Sequence, residues 1–138
     1  MTQESKFDLE QRLLIYATSI VRIVDMMDRT ATGAHVGQQL MRAGTSPLFN
    51  QGEAQSAESS KDFIHKMKIC LKELRETRRA LLLVQHVPLM RNTEPLAAAL
   101  QETEQLIRIF FTSIRTASTN MLRENSPDYA VSHLNVEC

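Results

Sequence analysis

The fold of this chain is decided by residues 60–87, SKDFIHKMKICLKELRETRRALLLVQHV, which begin at Ser60 and end just before Pro88. Small and apolar residues recur in this stretch at alternating intervals of four and three positions. That spacing places them in one continuous seam along one side of an α-helix, as in a bundle or a coiled coil. The seam comprises Phe63, Met67, Cys70, Leu74, Thr77, Leu81 and Val84.

A first helix is predicted over residues 7–29, where two apolar lines lie side by side. One line comprises Leu9, Leu13, Tyr16, Ile20, Ile23 and Met27, and the other comprises Leu14, Ala17, Val21 and Val24. Together they make a stripe wider than one antiparallel neighbour covers. Two interpretations stay open: the helix lies deep in its own bundle, or one line is a subunit interface.

A second helix is predicted over residues 34–57, and it is irregular. The four glycines of the chain lie in it or just before it, and each interior glycine costs about 1 kcal/mol relative to alanine. Their number predicts close approach to a neighbouring backbone. Pro47 removes a helical hydrogen bond and clashes with the preceding turn. Either the helix breaks at Thr45 and Ser46 or it is kinked near Pro47, and we favour the kink.

A fourth helix is predicted to begin at Thr93 as its cap, with Glu94 and Pro95 in its first turn, and to end near Arg123. Its predicted seam comprises Leu96, Leu100, Thr103, Ile107, Phe110, Ile114, Ala117 and Met121. Short links join the four segments. We therefore predict an all-α, antiparallel up-down-up-down four-helix bundle over residues 1–123, followed by a polar, flexible tail over residues 124–138.

The composition is that of an ordinary globular protein, with 43% hydrophobic residues, and its 16 basic and 16 acidic residues cancel. The charge of the whole chain therefore does not predict nucleic-acid binding. No secretory signal and no membrane span is recognisable. Cys70 lies on the helical seam as a buried apolar side chain would, and with Cys138 it makes neither a metal spacing nor a disulfide framework. We expect a cytoplasmic protein without a cofactor.

No group of residues predicts a reaction or a metal site. The histidines lack the Glu-x-x-His spacing of di-iron bundles. Glu53, Glu73 and Glu76 could be drawn into a paired-carboxylate site for acid/base chemistry. The interpretation we prefer is that they form salt bridges with nearby arginines. No catalytic residue is therefore assigned, and an enzyme is not predicted.

One local charge feature stands out on the helix at residues 60–87. Five cations fall on one exposed stripe, namely Lys61, Lys68, Lys72, Arg75 and Arg79. Such a stripe is usually a solvated outer face. It could also contact the phosphate backbone of a nucleic acid. No aromatic residues interleave with it, so base stacking is not predicted.

Two segments resemble a known family, the small bacterial four-helix bundle proteins that include those encoded in intervening sequences of large-subunit ribosomal RNA genes. They are also similar to the accessory variability proteins of diversity-generating retroelements. The matching residues on the second helix are Gln39, Leu40, Arg42, Ser46, Asn50, Glu53 and Ala54. Those on the third are Ser60, Asp62, Phe63, Lys72, Glu73, Glu76, Thr77 and Leu81.

The resemblance implies an antiparallel bundle assembled as a homo-oligomer, commonly a homopentamer, without enzymatic activity. It also implies that Arg42, Asn50, Glu53, Glu73 and Glu76 make polar contacts within or between subunits. The retroelement members are basic and bind RNA or DNA and a reverse transcriptase. This chain departs from the pattern in its neutral charge and in Pro47-Leu48-Phe49, where small and β-branched residues are usual. The expected function is a self-associating binding or scaffold module, with nucleic-acid binding as the alternative.

Overall fold

The computed structural model describes residues 3–126, with the side chains of residues 9–126. Four helices follow one another: α1 over Gln3–Met26, α2 over Ala31–Gln55, α3 over Ser60–His86 and α4 over Glu94–Glu124. Helix α1 packs on α2 and α4, and α3 packs on the same two helices from the opposite side. The predicted all-α four-helix bundle is therefore confirmed.

The core is a single cluster of side chains from all four helices, joined by the loop residues Leu89 and Met90. On α3 the predicted seam is buried from Met67 to Val84, and only Phe63 is half-exposed. On α4 the buried line differs from the predicted one. It comprises Leu96, Ala99, Thr103, Leu106, Phe110 and Ile114, whereas Leu100 and Ile107 are half-buried. The predicted α4 seam assumed one facing partner, but α4 packs against both α1 and α3.

One buried layer of the core is polar. The Tyr16 hydroxyl lies 2.6 Å from Thr103 Oγ1, and burial raises the pKa of Tyr16 to about 12. Thr103 Oγ1 also lies 2.6 Å from the Ala99 carbonyl oxygen, while the Thr77 hydroxyl donates to the Glu73 carbonyl at 2.7 Å. These pairings explain how two threonines can occupy fully buried seam positions.

Helix α2 begins three residues earlier than predicted. Thr30 is its N-cap, in an extended conformation, and its Oγ1 accepts a hydrogen bond from the Gly33 N–H at 3.0 Å. Gly33, which lies just before the predicted start of the helix, is in the first turn of α2. A Cβ atom at Gly33 would collide with the Asp28 carbonyl oxygen, so the sharp passage from α1 into α2 requires glycine there.

Of the two alternatives at Pro47, the break at Thr45 and Ser46 is not found, because α2 runs unbroken through Pro47, as in the continuous helix that we favoured. How far the axis bends at Pro47 stays a prediction. The expected close approach is found at Gly44, where an added Cβ atom would lie 2.6 Å from Ile20 Cγ2 on α1. It is not found at Gly52, where the same atom would have open space around it. The number of glycines therefore predicted more close contacts between α2 and its neighbours than the structure contains.

The start of α4 also differs in its detail. Thr93 was predicted as the cap, but its backbone is already helical and its side chain makes no capping bond. The Asn92 side chain instead accepts a hydrogen bond from the Glu94 N–H at 3.2 Å. At its other end α4 finishes at Glu124, one residue beyond the prediction. From residue 127 onward, the predicted tail lies outside the residues that the structure describes.

Among residues 3–126, no helix combines the length and the apolar character that crossing a lipid bilayer requires.

Candidate nucleic-acid interface

The carboxylates singled out in the sequence are held by ion pairs between α2 and α3. Arg42 reaches across from α2, with Nη1 3.2 Å from Glu73 Oε2 and Nη2 2.8 Å from Glu76 Oε2. The Glu73 side chain is 12% exposed, so its carboxylate is stabilised mainly by protein groups rather than by water. One guanidinium therefore neutralises a pair of carboxylates that would otherwise repel each other.

The two carboxylates of this cluster respond to their surroundings in opposite directions. Burial, followed by the neighbouring Glu76, raises the pKa of Glu73 above its ordinary value. The hydrogen bond from Arg42 lowers the pKa of Glu76. The difference follows from position, because Glu73 faces the interior and Glu76 faces the guanidinium at the surface.

Glu53 and Asn50 find other partners. The Lys66 ammonium lies 2.7 Å from Glu53 Oε2, and the Asn50 amide donates to Ser46 Oγ at 2.8 Å, one turn earlier on α2. The five family-motif residues thus fall into three separate contacts. Only Arg42, Glu73 and Glu76 come together.

The arrangement leaves no shared carboxylate site for acid/base chemistry in the part of the chain that the structure describes. Cys70 is also occupied, since its thiol donates to the Pro47 carbonyl at 3.6 Å and burial raises its pKa to about 12. A thiol with that pKa is protonated at neutral pH and is a poor nucleophile. Among the side chains of residues 9–126, no three histidine, cysteine or acidic groups lie close enough to hold a metal ion.

A groove of about 750 Å³ runs between α3 and α4, and Glu76 of the Arg42 cluster lies at its edge. Four of the five stripe cations line it or the adjoining cleft, namely Lys68, Lys72, Arg75 and Arg79. Lys61 is exposed but is not among the lining residues of either. The predicted stripe is therefore one wall of a groove rather than a flat outer face.

Helix α4 supplies the second wall and more positive charge. Arg115 lines the groove, and Arg108 lines the adjoining cleft together with Arg78 of α3. The acidic lining residues are Glu76, which is bound to Arg42, and Glu104, whose Oε1 lies 3.5 Å from Arg78 Nε. Seven basic side chains thus converge on a surface with two acidic ones, both already paired.

The groove also contains an aromatic side chain that the sequence interpretation had excluded. Phe111 is 49% exposed and lies among the lining residues of the groove. Arg115 Cζ, one helical turn further on, lies 5.9 Å from the centroid of its ring. Inspection of the stripe on α3 could not find it, because Phe111 belongs to α4. The signal in the sequence was the Arg108, Phe111, Arg115 spacing of three and four.

Exposed apolar side chains also occur on α1 and α2, outside the groove. On α1 they are Leu14 and Ile15, at 48% and 60% exposure, and on α2 they are Met41 and Phe49, at 36% and 67%. Within the second apolar line of α1, Ala17 is buried, whereas Val21 and Val24 are half-buried. The bundle therefore covers this line only in part.

Comparison with known proteins supports the resemblance seen in the sequence. The family model of the 23S rRNA-intervening sequence protein matches residues 3–111. The chain belongs to this family. No curated protein sequence matches the chain.

Among solved structures, this family member is similar to a protein of unknown function from the S23 ribosomal protein family of Bacteroides thetaiotaomicron. The two share 26% sequence identity with a TM-score of 0.71, over 80% of this chain and 97% of that one. The similarity supports the four-helix fold and the family. It does not indicate an activity, because the function of that neighbour is unknown.

Proposed function

We propose that this protein is a non-enzymatic binding module of the cytoplasm whose α3–α4 groove binds nucleic acid through the phosphate backbone. The observation that carries the proposal is the convergence of seven basic side chains from two helices, six of which form no ion pair with a described residue. The seventh, Arg78, is paired with Glu104, and the other acidic lining residue, Glu76, is paired with Arg42. Lysine and arginine side chains that are not neutralised by the protein are available to replace the counterions of a polyanion.

The neutral charge of the whole chain does not oppose this proposal. Binding depends on the local field, which falls off within about 10 Å at ordinary salt concentrations. Acidic residues elsewhere on the bundle are therefore screened from a strand lying in the groove. The family description names 23S rRNA, which makes RNA the first ligand to test.

The test is a fluorescence anisotropy titration of labelled RNA and DNA oligonucleotides at salt concentrations from low to physiological. If the four α3 cations contact phosphates of a single strand, the logarithm of the affinity falls with the logarithm of the salt concentration at a slope of about −3. Absence of binding at the lowest salt concentration would exclude the function.

Self-association is a second candidate, and the exposed apolar side chains of α1 and α2 favour it. Ile20 lies against Gly44 and Val24 against Gly37, so α1 and α2 run antiparallel and Leu14 is expected at the level of Phe49. Apolar side chains gathered on one surface are typical of protein interfaces. A homo-oligomer, pentameric by resemblance, would bring several copies of the groove together and multiply their effect on a long ligand.

Light scattering at micromolar concentration tests this candidate directly. We expect a multiple of the 15.7 kDa chain mass, and the charged substitutions Leu14→Glu and Phe49→Glu should return the protein to a monomer. Leu122→Glu is the matched control, because Leu122 is 71% exposed near the end of α4. A monomeric mass for the unsubstituted protein would exclude self-association. A reverse transcriptase partner stays a prediction, which co-purification would test.

A further inference from the structure

We propose that the ligand of the α3–α4 groove is a single-stranded nucleic acid, one base of which stacks on the ring of Phe111. This inference rests on the proposed function and specifies its ligand. It begins from the position of an exposed aromatic ring among cations. Lys68, Lys72, Arg75 and Arg79 line the α3 side, and Phe111 and Arg115 line the α4 side.

The ring is accessible for stacking. Phe111 is 49% exposed, although it is neighboured by half-buried and buried apolar residues of α4. Arg115 Cζ lies over the ring at 5.9 Å from its centroid, the outer limit of a cation–π contact, and the ring remains 49% exposed. A base could therefore lie on the ring while the Arg115 guanidinium contacts an adjacent phosphate.

The pairing of cations with one aromatic ring distinguishes single strands from duplexes. In a duplex the faces of the bases are stacked on one another, and a side chain in a groove meets only their edges. In a single strand the faces are accessible, and aromatic side chains bind them with little dependence on sequence. The cations alone would serve either ligand, so Phe111 is the residue that selects between them.

The dimensions of the groove set the length of the bound strand. From Lys68 to Arg79 the helix advances about 16 Å at 1.5 Å per residue. A strand with stacked spacing advances about 3.4 Å per nucleotide, so about five nucleotides span the four α3 cations. Affinity should therefore rise steeply with oligonucleotide length up to about five nucleotides and slowly thereafter in a protein with one groove.

The chain contains no tryptophan, so Phe111→Trp places a single fluorescent reporter in the groove. We expect the emission of this variant to be quenched by oligothymidylate at low salt and to be unaffected by an abasic phosphodiester of the same length. Leu122→Trp is the control, since Leu122 is 71% exposed on α4 and is not among the groove-lining residues. Its emission should not respond to either ligand.

Phe111→Ala measures the contribution of stacking to affinity. We expect it to weaken binding of the single strand by about fivefold to a hundredfold, as is found when one stacking residue is removed. Binding of the abasic strand and of a duplex should be unchanged, because neither offers a free base. Circular dichroism of the variant confirms the fold, and Leu122→Ala provides the control for affinity.

Two results would overturn the inference, and they differ from the result that overturns the proposed function. Wild-type affinity of Phe111→Ala for the single strand would show that phosphate contacts alone hold the ligand. Equal quenching of Phe111→Trp by the normal and abasic strands would show the same. If the unsubstituted protein binds no oligonucleotide at low salt, then both the function and the stacking proposal fail.

Discussion

The charged side chains of α3 are paired on the side that faces α2 and mostly unpaired on the side that faces α4. Toward α2, Glu73 and Glu76 are bound to Arg42, and the α3 residue Lys66 is bound to Glu53 of α2. Toward α4, the stripe cations Lys68, Lys72, Arg75 and Arg79 form no ion pair with any residue that the structure describes.

The helix is the same on both sides, so the difference comes from its neighbours. Helix α2 presents Arg42 and Glu53, which complement the charges facing them. Helix α4 presents Arg108 and Arg115, which add to the positive charge, and its Glu104 contacts only Arg78. Paired charges contribute to the stability of the bundle, whereas unpaired charges of one sign are available to a ligand. Variants on each side of α3 can test this division.

The largest effect is expected from removing the charge of the α4-facing side. The triple variant Lys72→Gln, Arg75→Gln, Arg79→Gln should weaken binding of a single-stranded oligonucleotide on the order of 100-fold at 50 mM salt, and reduce the salt slope by about 2. Its stability should change little, because these side chains are exposed and unpaired. Fluorescence anisotropy measures the affinity.

The control for this variant is Arg22→Gln, Arg29→Gln, Arg91→Gln. It removes the same net charge from exposed positions that do not line the groove. If the control weakens binding as much as the groove variant does, then overall charge rather than the groove determines affinity.

The next largest effect is expected on the α2-facing side, in stability rather than in binding. Arg42→Met leaves Glu73 and Glu76 without their shared partner and should lower the free energy of unfolding by about 1 to 2 kcal/mol at pH 7. The expected loss is smaller than for breaking a fully buried ion pair, because the Arg42 side chain is 57% exposed and water screens its charge. Urea denaturation measures it. Oligonucleotide affinity should fall only slightly, because Glu76, which lines the groove, loses its partner while the groove cations stay in place.

Arg75→Met is the matched control for Arg42→Met. Arg75 is an exposed cation on α3 without an ion pair among the described residues, so its loss should alter stability by less than about 0.5 kcal/mol while weakening binding. Equal losses of stability in the two variants would show that the two sides of α3 do not differ as we describe.

A smaller effect concerns the pH dependence of stability, where Glu73 and Glu76 should act in opposite directions. The pKa of Glu73 is raised in the folded state, so its contribution to stability falls as the pH rises from about 4.5 through the raised value. The pKa of Glu76 is lowered, so its contribution is present above about 4.5 and is lost as the pH falls through the lowered value.

Urea denaturation of Glu73→Gln and Glu76→Gln from acid to neutral pH tests this expectation. Relative to the unsubstituted protein, Glu73→Gln should gain stability as the pH rises to neutral, and Glu76→Gln should lose it as the pH rises through the acid range. Parallel profiles for the two variants would contradict the difference in environment.

The smallest effect is expected at the ion pair of Arg78 with Glu104. It is the one place on the α4-facing side where a described α3 cation is paired, as the charges on the α2-facing side are. Glu104→Gln removes one of the two acidic side chains near the groove and releases Arg78, which should strengthen oligonucleotide binding about twofold to threefold at low salt. Stability should be almost unchanged, because both side chains are well exposed. A decrease in affinity would show that Glu104 positions the groove rather than opposing the ligand.

Most of the fold could be predicted because helical periodicity is a local property. The α3 seam is buried as predicted from Met67 to Val84, including the polar Thr77, whose hydroxyl bonds to the preceding turn. The main error concerns the packing between helices. The rotation of the α4 seam does not follow from one helix considered alone, and neither does the choice between the two alternatives at Pro47, of which the favoured continuous helix is found.

The candidate site could be predicted only in part for the same reason. The spacing of four and three on α3 identified Lys68, Lys72, Arg75 and Arg79, because these residues share one helical face. The sequence also predicted salt bridges from Glu53, Glu73 and Glu76 to arginines. Arg42 binds Glu73 and Glu76, whereas Glu53 is paired with Lys66. The other wall of the groove was missed, because Phe111 and Arg115 lie more than thirty positions away in the sequence.

The sequence by itself determined four amphipathic helices, their short links and one cationic stripe, since each depends on residues within a few turns of one another. Only the tertiary structure decided that this stripe forms one wall of a groove and that the other wall carries arginines and an exposed phenylalanine. The physical reason is that side-chain pairing depends on which helix faces which. Complementary charges on α2 leave one side of α3 neutralised, and like charges on α4 leave the other side open to a polyanion.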